Sequence, residues 1–471
     1  MNTFITSRHL SINGGCAGMS PIDILAKNKI VTQWKPGNVW SSSENIAWNV
    51  NFNLGNLNGN NKYNSNAVRP SAALTQEMKS AIIEALYDCC RNKRSSSQCI
   101  DYLISLEEDI FKLGREIYSM TYKPGTSICF GVRHPKPREI FAAWFRDRIA
   151  QHWITIRLEP LFEQLFYECG NVSYNCRKGF GTQRAVKKLE SDIKEVSVNY
   201  TREAFIGHYD IQAFFNSIDK HILWGLLCEF INNRYHNDDK EVLLYMAKTI
   251  VMHRLCDNCI ELGDISILEL LPKNKRMKYR NQFVSMAIGN ITSQLFANFL
   301  LSVLDMVVMK EIERINNDSI KLGLGISASY IRFDDDIAIV TTKKSDNIFL
   351  RNVVDTTLQE RCHLSIHLSK IYLQECRHGV KFCGYVIKPN RVYLTNSSFN
   401  SLMKRLIKIE RISSILIRSP SHGLKRELEH LVAGADSILG FTQITNSYSK
   451  RRALLSKLDK FWKVCYVTNH F

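Results

Sequence analysis

The sequence lacks the features that would place the protein in a membrane or in an oxidising compartment. Its first residues contain no charged-then-apolar signal segment, and no apolar run is long enough to cross a bilayer. The fourteen cysteines are scattered along the chain. We therefore predict a cytoplasmic protein with reduced thiols and no membrane partner.

The cysteine pattern also argues against a structural zinc centre. Cys256 and Cys259 form one Cys-x-x-Cys pair, with no second pair nearby in the sequence. Structural zinc takes four ligands. A structural or incidental role is therefore the interpretation we favour for these two thiols.

Negative charge is scarce as well. The 471 residues include 62 Lys and Arg against 45 Asp and Glu, which gives a formal net charge of +17. This excess favours a polyanionic partner. The alternative is that the charge serves solubility, since any single basic run is more often a solvated face. The basic runs are Lys187-Lys188, Lys273–Arg280, Lys404–Arg411 and Lys450–Arg452.

One short stretch nevertheless concentrates acid. Asp334, Asp335 and Asp336 are consecutive within the apolar stretch 330–340. The alternation of apolar and polar residues predicts strand, tight turn, strand, with the carboxylates at the turn. Adjacent carboxylates repel one another, and a divalent cation such as Mg²⁺ relieves that repulsion. The alternative is an acidic turn on a solvated surface.

A second acidic position lies more than a hundred residues upstream. Asp210 ends a short apolar strand and precedes the aromatic pair Phe214 and Phe215. A carboxylate on a strand together with an Asp-Asp hairpin is the arrangement that two-metal phosphoryl transfer requires. The alternative for Asp210 is a helix cap, a role that suits Asp219 better because Asp219 begins the helical run 220–230.

Ordered sequence blocks spanning roughly residues 110 to 400 carry a resemblance to a known family. Together these blocks resemble the conserved motifs of reverse transcriptases. The blocks are Tyr122–Gly125, Pro135–Ile140 with Phe145–His152, Ser173–Thr182, the stretch around Asp210, Ala287–Asn298, Phe333–Asp336, Leu364–Lys370 and Phe382–Ile387.

Within that family the blocks resemble two bacterial groups most. These are the diversity-generating retroelement enzymes and the "unknown group" enzymes of antiphage defence. Three positions depart from the pattern: Ser285 and Ala287 stand where many relatives have Gly and Pro, and Asp334 replaces a small residue.

The resemblance implies an α+β protein with the right-hand polymerase fold, in which fingers, a palm with an antiparallel sheet and a helical thumb surround the site. We expect four regions. They are an Asn-rich extension over 1–70, helices over 71–120, fingers and palm over 121–395, and a helical, thumb-like region over 396–471. Within them we expect residues 257–282 to be irregular and basic, and we expect Gly434 and Gly440 to break the helical pattern of the last region.

The resemblance also implies roles for individual residues. Asp210, Asp335 and Asp336 would hold two Mg²⁺ ions, or Mn²⁺, with the Ile211 carbonyl as a further ligand. Lys370 would protonate the leaving pyrophosphate. The residues expected to contact the incoming nucleotide are Lys136, Arg138, Phe215, Asn290 and Gln294. The residues expected to contact nucleic acid are Arg177, Lys178, Gly384 and Tyr385.

These inferences predict an RNA-directed DNA polymerase whose partners are an RNA template, a DNA product and deoxynucleotides. We expect the template to be a dedicated noncoding RNA and the setting to be antiphage defence. One alternative is the mutagenic polymerase of a diversity-generating retroelement. An alternative of another class is a non-catalytic RNA-binding scaffold. A homo-oligomer is compatible with the sequence.

Overall fold

A computed structural model describes residues 73–468, apart from positions 92, 95, 134, 135 and 457. The Asn-rich extension predicted over residues 1–70 lies outside the described residues. Within them the protein is a mixture of helices and strands, which confirms the α+β class.

The described elements follow one another in a helical start, a mixed middle and a helical end. The helices are α1 (Gln76–Cys90), α2 (Ser97–Ile104), α3 (Leu106–Tyr118), α4 (Phe145–Glu168), α5 (Thr182–Val196), α6 (Phe214–Ser217), α7 (Lys220–Arg234), α8 (Lys240–Met252), α9 (Ser266–Glu269), α10 (Ile291–Leu300), α11 (Ser302–Lys321), α12 (Lys344–Thr357), α13 (Asn396–Arg418), α14 (His422–Phe441), α15 (Tyr448–Leu455) and α16 (Asp459–Thr468). The strands are β1 (Ser127–Val132), β2 (Arg138–Ala143), β3 (Phe205–Asp210), β4 (Cys259–Glu261), β5 (Ala328–Phe333), β6 (Asp336–Thr341), β7 (Tyr372–Glu375), β8 (Val380–Phe382), β9 (Tyr385–Lys388) and β10 (Arg391–Leu394).

The described chain divides into two compact units. One contains Pro124–Ala143 and the chain from Ile154 onward, and the other contains the residues up to Lys123 together with Trp144–Trp153. Helix α4 therefore contributes its first turns to the smaller unit and the remainder to the larger one. The four regions expected from the sequence remain a prediction.

The smaller unit is helical, as the apolar spacing over 72–120 predicts. Its helices are joined by polar contacts between side chains that are distant in sequence. Tyr122 donates a hydrogen bond to Asp147 Oδ1 over 2.8 Å, and Asp88 Oδ2 lies 2.7 Å from His152 Nδ1. Because both contacts join the first turns of α4 to earlier residues, they fix this part of α4 within its unit.

A four-stranded antiparallel sheet with the order β5-β6-β3-β7 is the central feature of the larger unit. Strands β3, β5 and β6 are rich in apolar and β-branched residues, and most of their side chains are buried. Such sequences favour strands that are covered on their faces. Helix α5 packs on this sheet, and its apolar residues share one core with β3, β5, β6 and the strands β8–β10.

Two smaller sheets complete the larger unit. Strands β1 and β2 form an antiparallel hairpin to which β4 adds in parallel, and β8, β9 and β10 form a meander. The segment 254–284 contains only β4, the short helix α9 and single-turn 3₁₀ helices. This agrees with the irregular structure predicted for residues 257–282.

The C-terminal region is helical, as predicted, but one expected break is absent. We expected Gly434 and Gly440 to interrupt the helical pattern, whereas α14 runs through both to Phe441. A Cβ atom on Gly434 would lie 2.3 Å from Arg405 Nη1, on α13. Glycine at this position therefore permits the close approach of α13 and α14 and does not end the helix.

One stretch passes the length and composition test for a membrane span. Residues Ile291–Lys321, which form α10 and α11, have a window of mean hydropathy 1.6, and 72% of that window is buried inside the protein. No such stretch was expected from the sequence. A mostly buried helix of this kind is also found in the cores of soluble proteins, so the stretch is weak evidence for a membrane span.

Candidate active site

Asp210 and the Asp335–Asp336 turn lie side by side at one end of the central sheet. Strands β3 and β6 pair antiparallel in a register that places Asp210 opposite Asp336. The Ile211 amide donates a hydrogen bond to the Asp335 carbonyl over 3.3 Å. The proximity that the sequence predicted for these distant carboxylates is therefore present in the fold.

The turn that carries the acidic residues is tight, as the alternation predicted. Strands β5 and β6 are joined through Asp334 and Asp335, with Phe333 opposite Asp336. Asp334 has φ = +58°, a left-handed conformation that Asp tolerates better than most residues. The departure at position 334 therefore places a residue type that suits the turn.

A buried ion pair supports this turn from within the protein. Arg332 and Asp305 are fully buried, and the guanidinium donates to Asp305 through Nε over 2.8 Å and through Nη2 over 2.6 Å. Arg332 Nη1 also donates to the Asp334 carbonyl over 3.2 Å. Because the partner Asp305 lies on α11, the pair ties the turn to that helix.

Burial and mutual repulsion act together on the clustered carboxyl groups. Burial, with repulsion from Asp335, raises the pKa of Asp334 to about 6. Burial and then repulsion from Asp335 and Asp334 raise the pKa of Asp336 to about 7. Burial also raises the pKa of Asp335. Such a site stabilises a bound cation, because a positive charge offsets the repulsion.

Two basic residues of the β1–β2 hairpin act on these carboxylates at a distance. Lys136 precedes β2 and Arg138 begins it, and both side chains are exposed. The positive charges of Arg138 and Lys136 counteract the rise in the pKa of Asp335. The structure therefore brings both predicted triphosphate contacts into the electrostatic environment of the acidic turn.

Lys370 lies directly against the acidic site. Its Nζ forms an ion pair with Asp210 Oδ2, and about half of its side chain is exposed. On the same strand, two residues before Asp210, His208 has its Nε2 3.7 Å from Asp336 Oδ1. Burial, followed by the charge of Lys370, lowers the pKa of His208. Lys370 is thus the cation that is paired with Asp210.

The residues match a divalent cation in chemical type, but they do not form a complete ligand set as they stand. Three carboxylates and a backbone carbonyl supply the hard oxygen ligands that Mg²⁺ prefers. Among the residues that the structure describes, no group of three His, Cys, Asp or Glu side chains is arranged to hold an ion. Asp210 would have to exchange Lys370 for the cation before it could act as a ligand.

The remaining nucleotide-contact candidates lie in different surroundings. Phe215 is half-buried, and its ring centroid is 5.2 Å from that of Phe214. Gln294 is exposed on α10. Asn290 is buried, and its Oδ1 accepts a hydrogen bond from the Ala143 amide over 3.4 Å. Ile211 is buried, with its backbone in a bridge to Ile366.

The predicted nucleic-acid contacts are partly used within the fold. Arg177 is buried, and its Nη2 donates to Glu163 Oε2 over 2.9 Å. Tyr385 is also buried and donates its hydroxyl hydrogen to the Phe441 carbonyl over 2.8 Å. Both side chains therefore have structural partners within the protein, and their contact with nucleic acid stays a prediction. Lys178 is exposed, and Gly384 occupies a turn with φ = +82°.

Asp219 has the role that the sequence assigned to it. It caps α7, where its Oδ1 accepts hydrogen bonds from the His221 and Ile222 amides. Asp210, which lies only nine positions earlier, ends β3 and caps no helix. The two aspartates are thus distinguished by their local structure.

Sequence reasoning missed two features that support the site. One is the Arg332–Asp305 pair. The sequence could have indicated it, because β5 and α11 each carry one charged residue at a position where the pattern is otherwise apolar. The other is Gly289, which has φ = +124° and lies so close to β2 that a Cβ atom would be 2.6 Å from the Phe141 carbonyl oxygen. This close approach allows the Phe141 amide to bond to the Ile288 carbonyl over 2.9 Å.

No protein-family model and no curated protein matches the chain. Among solved structures, the chain is similar to apo telomerase from Candida tropicalis, with 11% identity over 72% of this chain and 62% of that chain and a TM-score of 0.41. It is also similar to the same telomerase truncated from its C-terminal domain, with 12% identity, 57% and 55% coverage and a TM-score of 0.39. A third similar structure is telomerase from Candida albicans in complex with a fragment of telomeric RNA, with 10% identity, 75% and 59% coverage and a TM-score of 0.40. The chain thus spans 55% to 62% of the lengths of those chains. Likenesses at this level assign neither an activity nor a family.

Proposed function

We propose that the chain is an RNA-directed DNA polymerase, in which the central sheet acts as the palm of a right-hand fold. The observation that carries the proposal is the pairing of Asp210 with Asp336 beside Asp335 at the end of that sheet. Three carboxylates brought together from two distant segments are the donor set that nucleotidyl transfer requires.

Two divalent cations, held by Asp210, Asp335, Asp336 and the Ile211 carbonyl, would lower the pKa of the attacking 3′-hydroxyl and offset the charge of the leaving pyrophosphate. The residues around them position the nucleotide. Lys136 and Arg138 would bind the triphosphate, since guanidinium groups bind phosphate through two parallel hydrogen bonds.

The sugar and the leaving group would meet further residues of this chain. Phe215 would lie beneath the deoxyribose and exclude a 2′-hydroxyl by contact. Asn290 and Gln294 would border the nucleotide and the template. Lys370 Nζ would release Asp210 when cations bind, and would then donate its proton to the pyrophosphate oxygen.

The finer assignment follows the sequence resemblance. We propose that the template is a dedicated noncoding RNA and that the DNA product serves antiphage defence. A mutagenic retroelement polymerase would use the same chemistry. Template and variable repeats beside the gene would favour that alternative.

One structural observation favours a second candidate of another class. Asp210 is already paired with Lys370, and the described carboxylates do not form a closed ligand set. A non-catalytic RNA-binding scaffold would retain this arrangement without ever exchanging Lys370 for a cation.

Primer extension on an RNA template with Mg²⁺ or Mn²⁺ separates the two candidates. We expect the wild type to incorporate deoxynucleotides, and we expect the double variant Asp335→Asn/Asp336→Asn to lose synthesis while it still binds RNA. Asp257→Asn, at an exposed aspartate of the 254–284 segment, is the matched control and should retain synthesis. Synthesis by the double variant would refute the assignment, and a wild type that binds RNA without synthesis would establish the scaffold.

A further inference from the structure

The segment between α9 and α10 has an unusual charge distribution that the active site does not use. Residues 270–284 contain five basic side chains and no Asp or Glu. Three of them, Lys273, Lys275 and Lys278, are exposed. Within the part of the chain that the structure describes, none of these three lysines forms an ion pair with a carboxylate. Their positive charge is therefore available to an external polyanion.

A buried arginine anchors this segment to the rest of its unit. Arg276 is buried, and its Nε and Nη2 lie 3.3 Å from Glu139 Oε1 and 3.4 Å from Glu261 Oε1. The Met277 amide donates to Glu139 Oε2 over 2.7 Å. Because Glu139 lies on β2 and Glu261 on β4, the segment is fixed to the β2-β1-β4 sheet.

Two further contacts hold the segment in place. Met277 is buried in the core cluster that contains Phe141 and Leu268. Arg254 Nη2 donates to the carbonyl oxygens of Lys278 and Arg280, each over 3.2 Å. An irregular segment with this many anchors presents its exposed side chains in a fixed arrangement, which reduces the entropic cost of binding.

Aromatic rings are exposed among these cations. Tyr279 is 51% exposed, and its ring centroid lies 5.1 Å from Lys278 Nζ and 5.9 Å from Lys273 Nζ. Phe283 is 38% exposed, and its ring centroid is 4.3 Å from that of His221. Exposed rings flanked by cations are the features with which proteins bind unpaired bases and their phosphates.

The segment also adjoins the candidate active site. Asn216 Nδ2, one residue after Phe215, donates to the Lys275 carbonyl over 3.3 Å. The Met286 amide donates to the Phe215 carbonyl over 2.7 Å, and the Lys220 amide donates to the Phe283 carbonyl over 2.8 Å. A strand bound along the segment would therefore pass close to the turn that follows Asp210.

We propose that residues 273–283 form a rigid platform for a single-stranded polynucleotide. Lys273, Lys275 and Lys278 bind consecutive phosphates, and Tyr279 stacks on one unpaired base. This inference deepens the proposed function, since the bound strand would be the template or the product of that same site. It concerns strand binding and can be tested without catalysis.

The test measures the binding of fluorescein-labelled oligouridylate and oligothymidylate, twelve nucleotides long, by the full chain in EDTA without nucleotides. Fluorescence anisotropy gives the dissociation constant at several salt concentrations. We expect Lys273→Gln/Lys275→Gln/Lys278→Gln to weaken binding by on the order of tenfold or more. The slope of log K against log salt should decrease in magnitude by about 2, since each lost contact to a single strand removes about 0.7.

Tyr279 is tested with a conservative pair of variants. We expect Tyr279→Leu to weaken binding by about tenfold, whereas Tyr279→Phe should bind as the wild type does, because it retains the ring. A blunt duplex of the same length should bind less tightly, and Tyr279→Leu should leave its binding unchanged. If the loss is confined to the RNA or the DNA oligomer, the platform serves the template or the product strand respectively.

Matched controls remove the same charge and a similar ring elsewhere. Lys310→Gln/Lys343→Gln/Lys344→Gln changes three exposed lysines, one on α11 and two at the start of α12. Phe349→Leu removes a partly exposed ring that lies 5.4 Å from the Arg314 guanidinium. Both controls should bind as the wild type does, and unchanged melting temperatures show that all variants are folded.

The outcomes separate this proposal from the proposed function. If the platform variants bind both oligomers as tightly as the wild type, or if the control triple loses as much affinity as the platform triple, the platform is refuted even when primer extension succeeds. If the platform variants lose binding while the wild type shows no synthesis, the platform stands and the polymerase assignment fails.

Discussion

Ser285 offers a sharp test of how the structure uses the segment beside the active site. Its φ is +103°, a region that glycine adopts readily and other residues adopt at a cost. The side chain is buried, and among the described residues no hydrogen bond reaches its Oγ. The backbone is held in this conformation because the Ser285 amide donates to the Ile218 carbonyl over 2.9 Å.

The magnitude follows from three contributions. A non-glycine residue in such a conformation costs about 1–3 kcal/mol, and a buried hydroxyl without a partner costs about 1–3 kcal/mol. Glycine itself lowers the free energy of unfolding by about 0.5–1 kcal/mol, because it loses more backbone entropy on folding than serine does. We therefore expect Ser285→Gly to increase the free energy of unfolding by about 3 kcal/mol, relative to the wild type.

Ser285→Ala separates the two favourable contributions. It removes the hydroxyl but keeps the Cβ atom, and should therefore raise the free energy of unfolding by only about 2 kcal/mol. Urea denaturation measures the order, provided that the slope of the unfolding free energy against urea is the same for all three proteins. If Ser285→Gly is no more stable than Ser285→Ala, backbone strain at this position is absent, and the reasoning fails.

Three further predictions concern two buried charged groups and one close approach of the backbone. Burial lowers the pKa of Lys220 to about 8, so between pH 8 and the ordinary pKa near 10.5 the folded state binds fewer protons than the unfolded state. The unfolding free energy of the wild type, relative to that of Lys220→Met, should therefore rise by up to about 3 kcal/mol between pH 7 and 10.5. A difference that does not change with pH would contradict the burial of this amine. Asp305→Asn should destabilise the protein by about 3–5 kcal/mol, because it leaves the Arg332 charge buried without its counter-ion. Replacing both Asp305 and Arg332 with apolar residues should destabilise the protein less, and an equal or greater loss in the double variant would show that the unpaired charge is not the cause. Gly289→Ala should destabilise the protein by about 2–3 kcal/mol, because a Cβ atom at this positive φ would collide with the Phe141 carbonyl oxygen. A free energy of unfolding in urea close to that of the wild type would show that the close approach to β2 is dispensable.

The sequence predicted the parts of the site that depend on local patterns. Alternation around Asp335 predicted the hairpin, and the residues after Asp219 predicted a helix with that residue as its cap. The apolar strand before Asp210 was also predicted, and its proximity to the acidic turn was expected on the assumption that the two acidic segments act together. Local periodicity and turn chemistry are sufficient for such features.

The parts that were not predicted depend on contacts between distant residues. Nothing near Gly434 shows that Arg405 occupies the space where a side chain would lie, so its residue type alone suggested a helix break. The partner of Arg177 is Glu163, which lies on another element, so the sequence around Arg177 gives no sign of this ion pair. The ion pair of Lys370 with Asp210 is likewise decided by the folded sheet and not by either local sequence.

The account rests on the claim that Asp210 is a ligand of the catalytic cations and not a structural residue like its neighbour Asp219. Nucleotide incorporation on an RNA template, measured for Asp210→Asn and for Asp219→Asn, tests this directly. We predict that Asp210→Asn loses at least about 10³-fold in rate, since a metal contributes several kcal/mol of transition-state stabilisation. Asp219→Asn should keep near-wild-type incorporation, because asparagine also caps helices well. Incorporation by Asp210→Asn at a rate close to that of Asp219→Asn would contradict the account.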